Sequence, residues 1–492
     1  MKYYIGVDLG TSAMKLLLTD GEGRIINKVS KEYEVYFPKV AWSEQNPEDW
    51  WQAFLAGTKE LIKGVDAKDI AGIGVAGQMH GLVALDHNDN VIRPAILWND
   101  SRTEKEVEYL NNEIGKSKLS DLTANIAFAG FTAPKLLWMR KNEPENFKRI
   151  AKIMLPKDYL NYRLTGEHTT DFSDASGMLL LDVKNKCWSK EMLDVCDISI
   201  EQLPRLAESY DVIGKVLPEI SKELGFSSDV KVVAGAGDNA AAAIGTGTVA
   251  DGRCNISLGT SGTVFIPSDK FSVDNLNALH SFCHANGKYH LMACILSAAS
   301  CNKWFCEDIL KTTDYQEEQS KITDDMLGSN SVCFLPYLMG ERSPINDTDA
   351  RGMFIGLHMN TSREDMVLSV LEGVSFAIRD NIEIARSQGI NINTSSICGG
   401  GAKSKLWQKI ICNILNIELT VPITEQGPGY GGAMLSMVGA GEYNSVRECA
   451  DNLVKVKERI SPDPAIVKRY NEKYEKYKKI YPSVKELYKE LK

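Results

Sequence analysis

The segment Asp8-Leu9-Gly10-Thr11-Ser12 combines residue types that can handle a phosphate. A tight glycine turn exposes successive N–H groups to an anion, and Thr/Ser hydroxyls add donors. Asp8, directly before the turn, suits a magnesium ion held through water, because Mg²⁺ keeps several waters and takes one or two carboxylates. It suits a turn-capping Asx role equally well, and the local sequence leaves both open. Leu258-Gly259-Thr260-Ser261 repeats the four residues about half a chain later, and the duplication favours phosphate. A third glycine cluster, Ile397-Cys-Gly399-Gly400-Gly401-Ala-Lys-Ser404, ends an apolar run and opens a helical one. Its glycines would let a flat group such as adenine lie on the backbone beside a helix N-terminus. Finally, Val232-Val-Ala-Gly-Ala-Gly-Asp238-Asn239-Ala-Ala-Ala-Ala reads as strand, glycine turn and alanine-rich helix. Asp238 could be that helix's N-cap. With small neighbours that leave room for a ligand, it could also take a proton from a substrate hydroxyl, and Asp100 is the next carboxylate to consider.

Other nucleotide and metal patterns fit poorly. No G-x-x-x-x-G-K-[ST] occurs. Gly72-Ile-Gly74-Val-Ala-Gly77 follows no clear strand and leads toward another strand, Leu82–Leu85, whereas a dinucleotide site needs a helix there. Gly427-Pro-Gly429-Tyr-Gly-Gly432 lies between a strand, Glu418–Pro422, and a helix, Ala433–Val438, but Pro428 and four intervening residues suit it badly. Close backbone approach is the simpler reading. His280-Ser-Phe-Cys283-His284, with His290, lacks the paired spacing of a zinc site and alternates like a strand.

Two domains are needed to position these loops, and the length allows them. The chain has 492 residues, 56 Lys+Arg against 65 Asp+Glu, and 43% hydrophobic content, which suits a soluble globular protein. The net charge of −9 disfavours nucleic acid. No apolar run reaches the ~18 residues of a membrane span, and Asp8 interrupts any signal-peptide pattern. Eleven scattered cysteines without a C-x-x-C pair suit reduced thiols, so a cytoplasmic location is expected. Strands are expected at Tyr3–Asp8, Met14–Thr19 and Arg24–Val29. Helical patterns cover Pro47–Lys63, Ser101–Leu119, Glu364–Gln388 and Ser404–Leu415. The class is α/β, with domains at 1–244 and 245–492 facing a shared cleft. In the tail, Tyr470, Tyr474, Tyr477 and Tyr481 fall on one helix face, which reads as a packed stripe with solvated lysines.

The sequence resembles the FGGY carbohydrate kinases from Tyr4 to about Gly441. The resemblance rests on Ile5–Ser12, Trp42–Pro47, Gly77-Gln-Met-His80-Gly81, Trp98–Arg102, Gly130–Lys135, Leu155-Pro-Lys-Asp-Tyr159, Gly237-Asp-Asn239, Ser257–Gly262, His280–His284 and Gly399–Ala402. It implies an actin-like ATPase fold of two ribonuclease-H-like domains, with ATP and sugar in the cleft. By similarity Asp238 would be the general base, and Met79, His80, Asp238 and Asn239 would contact the sugar. Gly10, Thr11, Ser12, Gly259 and Thr260 would meet the phosphates. Gly400 and Gly401 would meet the adenosine, with Lys405 standing where members often have Asn. Asp8 would be the second catalytic carboxylate and would hold Mg²⁺ through water. The Gln78-Met79-His80 and Trp98–Arg102 strings look like members that phosphorylate D-xylulose. Ribulose or glycerol kinases of the family are the nearest alternative, and an actin- or chaperone-like ATPase is a more distant one. The resemblance is compatible with a homodimer.

Overall fold

A computed structural model describes residues 1–423 and 427–491. The chain forms two compact units. The first comprises Met1–Val249, Ser281–His290 and Gln426–Val454; the second comprises Ala250–His280, Leu291–Glu425 and Lys455–Lys492. The chain passes from the first unit to the second after Val249 and later returns to the first.

The main sheet of the first unit is built from β1 (Tyr3–Leu9), β2 (Ala13–Asp20), β3 (Ile25–Glu32), β4 (Ile70–Gly77), β5 (Val212–Lys215), β6 (Lys231–Val233) and β7 (Ala236–Gly237). Their order is β5-β6-β4-β1-β2-β3, with β7 also beside β4. β1 and β2 form an antiparallel hairpin around the Gly10–Ser12 turn, and β1, β6 and β7 run parallel to β4. Apolar residues such as Ile5, Val7, Leu16, Leu18, Ile73 and Val75 are fully buried, as expected of strands covered on their faces.

Gly72, Gly74 and Gly77 lie within β4 itself, where the sequence alone shows no clear strand before the string. The helix Gly427–Ala440 incorporates the second glycine cluster instead of starting at Ala433. The two clusters explain each other. A Cβ on Gly74 would sit 2.1 Å from the Gly432 carbonyl oxygen, and one on Gly6 would sit 1.9 Å from that of Gly429. Glycine is required because helix and strand backbones touch, so neither cluster is a dinucleotide loop.

The second unit repeats the design. β8 (Gly252–Leu258) and β9 (Gly262–Ser268) form the hairpin around Gly259–Ser261, and β10 is Tyr289–Ile295. β11 (Ile392–Cys398) runs parallel to β8, β12 (Glu418–Pro422) runs parallel to β11, and β13 (Val456–Ile460) runs antiparallel to β12. The helix Arg363–Ser387 begins on a Ser362/Asp365 capping box. Ser404 caps Lys405–Leu415 by accepting the Trp407 N–H at 3.0 Å. The periodic stretch after Ser101 is three consecutive pieces, Glu104–Glu108, a π-helical Tyr109–Gly115 and Lys116–Thr123. The tail helix Pro464–Tyr477 buries Tyr470, Tyr474 and Tyr477 in the core of the second unit. Among the described residues no helix is long and apolar enough to cross a membrane.

Candidate active site

Three parallel strands end side by side in the first unit, and their ends carry the residues singled out by the sequence. Asp8 pairs with Ala76, Leu9 with Gly77, and Gly77 with Gly237. The Gly10 turn, the Gln78-Met79-His80 loop and Asp238 therefore leave the sheet at one edge, the carboxyl ends where open α/β sheets bind ligands.

Asp238 is the first residue of the helix Asp238–Gly245, and Gly237 occupies the cap position without a side-chain cap bond. The expected N-cap role is thereby corrected. Asp238 Oδ1 instead accepts the Asn239 N–H at 2.7 Å and the Asn239 side-chain N–H at 2.9 Å. Burial, reinforced by the charge of Asp8, pushes its carboxyl up to about 7. Asp8 is itself pushed up to about 6 by burial, against the pull of Lys15. Two carboxylates within electrostatic reach resist ionising together.

The Gln78-Met79-His80 loop is held from beneath. Met79 is buried, and a Cβ on Gly237 would meet its Cγ and Sδ at 3.0 Å, so Gly237 is small because Met79 passes over it. His80 adopts φ +68° and donates from Nδ1 to the Gly177 carbonyl at 2.8 Å. Its ring lies 4.7 Å from that of Phe131. Sequence reasoning missed Lys135. Its fully buried ammonium donates to the carbonyl oxygens of His80 (2.7 Å) and Gly130 (2.6 Å), and burial pulls its pKa down to about 7. Lys135 was visible only as part of the Gly130–Lys135 string. Asp100, the fallback base, is saturated: it accepts the backbone N–H groups of Ser43 and Arg102 and pairs with the Arg102 guanidinium at 2.6 Å. It is a structural anion.

The Gly10–Ser12 turn is braced by Tyr33, which donates to the Gly10 carbonyl at 2.5 Å, and by Gln45, which donates to the Thr11 carbonyl at 2.6 Å. The Thr11 hydroxyl accepts from the Trp98 indole N–H (2.9 Å) and donates to Gln78 (3.2 Å), and the Gly10 N–H donates to the Ala13 carbonyl at 3.1 Å.

In the second unit a cavity of about 970 Å³ is lined by Gly259, Thr260, Gly400, Gly401 and Lys405, with Gln319 on its wall. The three glycines differ in their reasons. Gly399 has φ +90°, and a Cβ on Gly401 would meet Trp407 at 2.9 Å. A Cβ on Gly400 would meet nothing within 4 Å, so no protein packing requires that glycine. Lys405 turns its ammonium to Glu458 and to Gln408. Gln319 accepts the Ser404 hydroxyl at 2.5 Å, a placement no local motif announced.

His280–Cys283 is a strand, and His284 is buried with its pKa pulled down to about 4 by desolvation. Among the described residues no group of three or more His, Cys, Asp or Glu could hold a metal ion, and all eleven cysteines are free.

The duplicated hairpin-and-parallel-strand design, with a glycine turn in each copy, defines an actin-like ATPase fold. Residues 3–245 match the N-terminal domain of the FGGY family of carbohydrate kinases, and residues 254–440 match its C-terminal domain. The chain belongs to that family, whose members are ATP-dependent sugar kinases. It is 40% identical to a xylulose kinase of Escherichia coli over 97% of this chain and 98% of the relative. A crystal structure of a xylulose kinase from Brucella ovis superposes with a TM-score of 0.93 at 39% identity, covering 99% of this chain and 100% of that one. A gluconate kinase from Lactobacillus acidophilus gives a TM-score of 0.94 at 28% identity, with both chains covered completely.

Proposed function

We propose that the protein transfers the γ-phosphoryl group of ATP to the 5-hydroxyl of D-xylulose. The carrying observation is the convergence of Asp238, Met79, His80 and Asn239 beside Asp8 at one sheet edge of the first unit. Asp238 takes the hydroxyl proton as the oxygen attacks phosphorus; the transition state is loose, so positioning matters more than base strength. A carboxyl near 7 is also well matched to proton transfer at neutral pH. His80, its Nδ1 committed to Gly177, presents its other edge to the sugar, with Asn239 as a further contact. The N–H groups of Thr11 and Ser12 meet phosphate oxygens, as do those of Gly259 and Thr260, while Gly10, its N–H given to the Ala13 carbonyl, shapes the turn. Adenosine lies over the open face of Gly400 and beside Gly401, with Lys405 at the rim of the cavity.

Asp8 fits a magnesium ion: its carboxylate makes no hydrogen bond or ion pair among the described residues, and a cation would relieve the strain of two buried carboxylates. When bound, the ion would neutralise phosphate charge.

The test is a coupled ADP-release assay with D-xylulose, ribulose, glycerol and gluconate at saturating Mg·ATP. D-xylulose should give the highest kcat/KM, and a higher value for any other acceptor would reject the substrate assigned here. Asp238→Asn should keep the fold and lower kcat by ~10²–10⁴.

A further inference from the structure

Behind the base lies a charged cluster shut off from water. Lys157, Asp158, Asp171 and Asp174 are all fully buried. The Lys157 ammonium lies 2.6 Å from Asp158, 2.9 Å from Asp171 Oδ1 and 3.7 Å from Asp174. Burial works against its charge, but the three carboxylates hold its pKa above the ordinary lysine value. Such a cluster costs desolvation energy and is weak evidence for stability, so its retention calls for another reason.

The hydrogen bonds leaving the cluster supply one. Asp171 Oδ2 accepts the Ser173 N–H at 2.9 Å, the Ser173 hydroxyl at 2.5 Å and the Ser209 hydroxyl at 2.7 Å. Having donated its proton to Asp171, Ser173 Oγ accepts the Gly237 N–H at 3.1 Å. That N–H belongs to the residue directly before Asp238. A Cβ on Gly237 would crowd the Met79 side chain at 3.0 Å, and with glycine there the chain entering the base is intrinsically loose. Four residues beyond Ser173, the Gly177 carbonyl takes the His80 Nδ1–H, and a Cβ on Gly177 would strike the His80 ring at 2.3 Å. One short segment, 171–177, thus touches both the base's backbone and the sugar-loop histidine, and Lys157 anchors it.

We propose that Asp171 and Ser173 are positioning residues for phosphoryl transfer, setting Asp238 in register with His80 through the Gly237 N–H. The inference rests on Asp238 being the base. Catalytic groups must be held to within about 0.5 Å, and a misplacement of about 1 Å can cost about a hundredfold in rate.

Ser173→Ala removes the bridging oxygen, while Asp171 keeps the Ser173 N–H and the Ser209 hydroxyl. Its kcat with D-xylulose should fall about ten- to a hundredfold, with the KM for Mg·ATP unchanged. Ser209→Ala removes an equivalent bond from the same carboxylate without touching Gly237, and should retain kcat. In an Asp238→Asn background, Ser173→Ala should cost nothing further, because there is no base left to position. Wild-type kcat in Ser173→Ala, equal loss in Ser209→Ala, a full additional loss in the Asp238→Asn background, or failure of Ser173→Ala to fold while Ser209→Ala folds would each overturn the proposal. The two readings separate cleanly. Undiminished turnover in Asp238→Asn removes the base itself, whereas loss there with none in Ser173→Ala removes only the positioning role.

Discussion

At the scale of single residues, the proposed chemistry turns on two carboxylates whose pKa values burial pushes upward, Asp238 further than Asp8 because the charge of Asp8 adds to its burial. Asp8→Asn would delete the neighbouring charge that raises Asp238, leaving burial alone. In the ligand-free protein the Asp238 carboxyl, followed by carbon-13 NMR, should then titrate at lower pH. An unmoved titration would show that the charge of Asp8 does not reach Asp238. The same shift has a stability consequence. Asp238 binds its proton more tightly folded, at about 7, than unfolded, at about 4. Its ionisation therefore destabilises the ligand-free fold progressively as pH rises through that window, and the penalty is absent below it. Asp238→Asn should melt above wild type at pH 8, with the gap shrinking toward pH 4; a gap independent of pH would contradict the buried carboxylate. In the proposed complex, His80→Ala removes one hydrogen bond to the sugar, worth about 1 kcal/mol. It should raise the KM for D-xylulose several-fold while kcat changes less. A lowered melting midpoint with KM intact would make His80 a core residue only.

At the scale of elements, glycines decide where backbones meet. Gly432→Ala would drive a Cβ to 2.6 Å from the Gly74 carbonyl oxygen, and neither the helix nor β4 can yield cheaply. Overpacking of this kind costs about 1–3 kcal/mol, so the melting midpoint should drop by roughly 2–10 °C for a unit of this size. An unchanged midpoint by calorimetry would mean that the helix rides more loosely on the sheet than described. This contact also marks what the sequence could reveal. β1 and β12 were legible because β-branched, aromatic and apolar residues run together between clear breakers, and Arg363–Ser387 because its apolar residues recur over a long helical stretch. The Gly427–Gly432 turn of helix was not legible. Glycine is a poor helix former, and only the partner glycines, hundreds of residues away, make that helix favourable. Lys135 and Lys157 were visible as motif letters, but their complete burial was not, since lysine is almost never buried unless paired. Ser173 carried no local signal, and its meaning comes from Gly237 across the fold.

At the scale of the whole molecule, the order of the chain and the order of folding units do not coincide. The first unit is unfinished when the chain leaves it after Val249, because the helix Gly427–Ala440 still has to cover β1 and β4. That helix buries Tyr430, Met434, Leu435 and Met437, all at most 3% exposed. At about 1.5–3 kcal/mol for each large apolar side chain, the loss is on the order of 10 kcal/mol, comparable with the entire stability of a typical domain. A chain of residues 1–249 should therefore lack a cooperative thermal transition and should expose apolar surface to a hydrophobic dye, although it carries Asp8, His80 and Asp238. The same chain joined through a flexible linker to 427–454 should regain the transition, because the missing cover arrives with its glycine contacts. Appending 464–492 instead should not, since its tyrosines pack in the second unit. Cooperative melting of residues 1–249 alone would show that the sheet is stable uncovered and would refute this account of why the chain returns. Restoration by either appended segment would show that nonspecific burial suffices, and the fit of Gly6 and Gly74 to the helix would then lose its structural meaning.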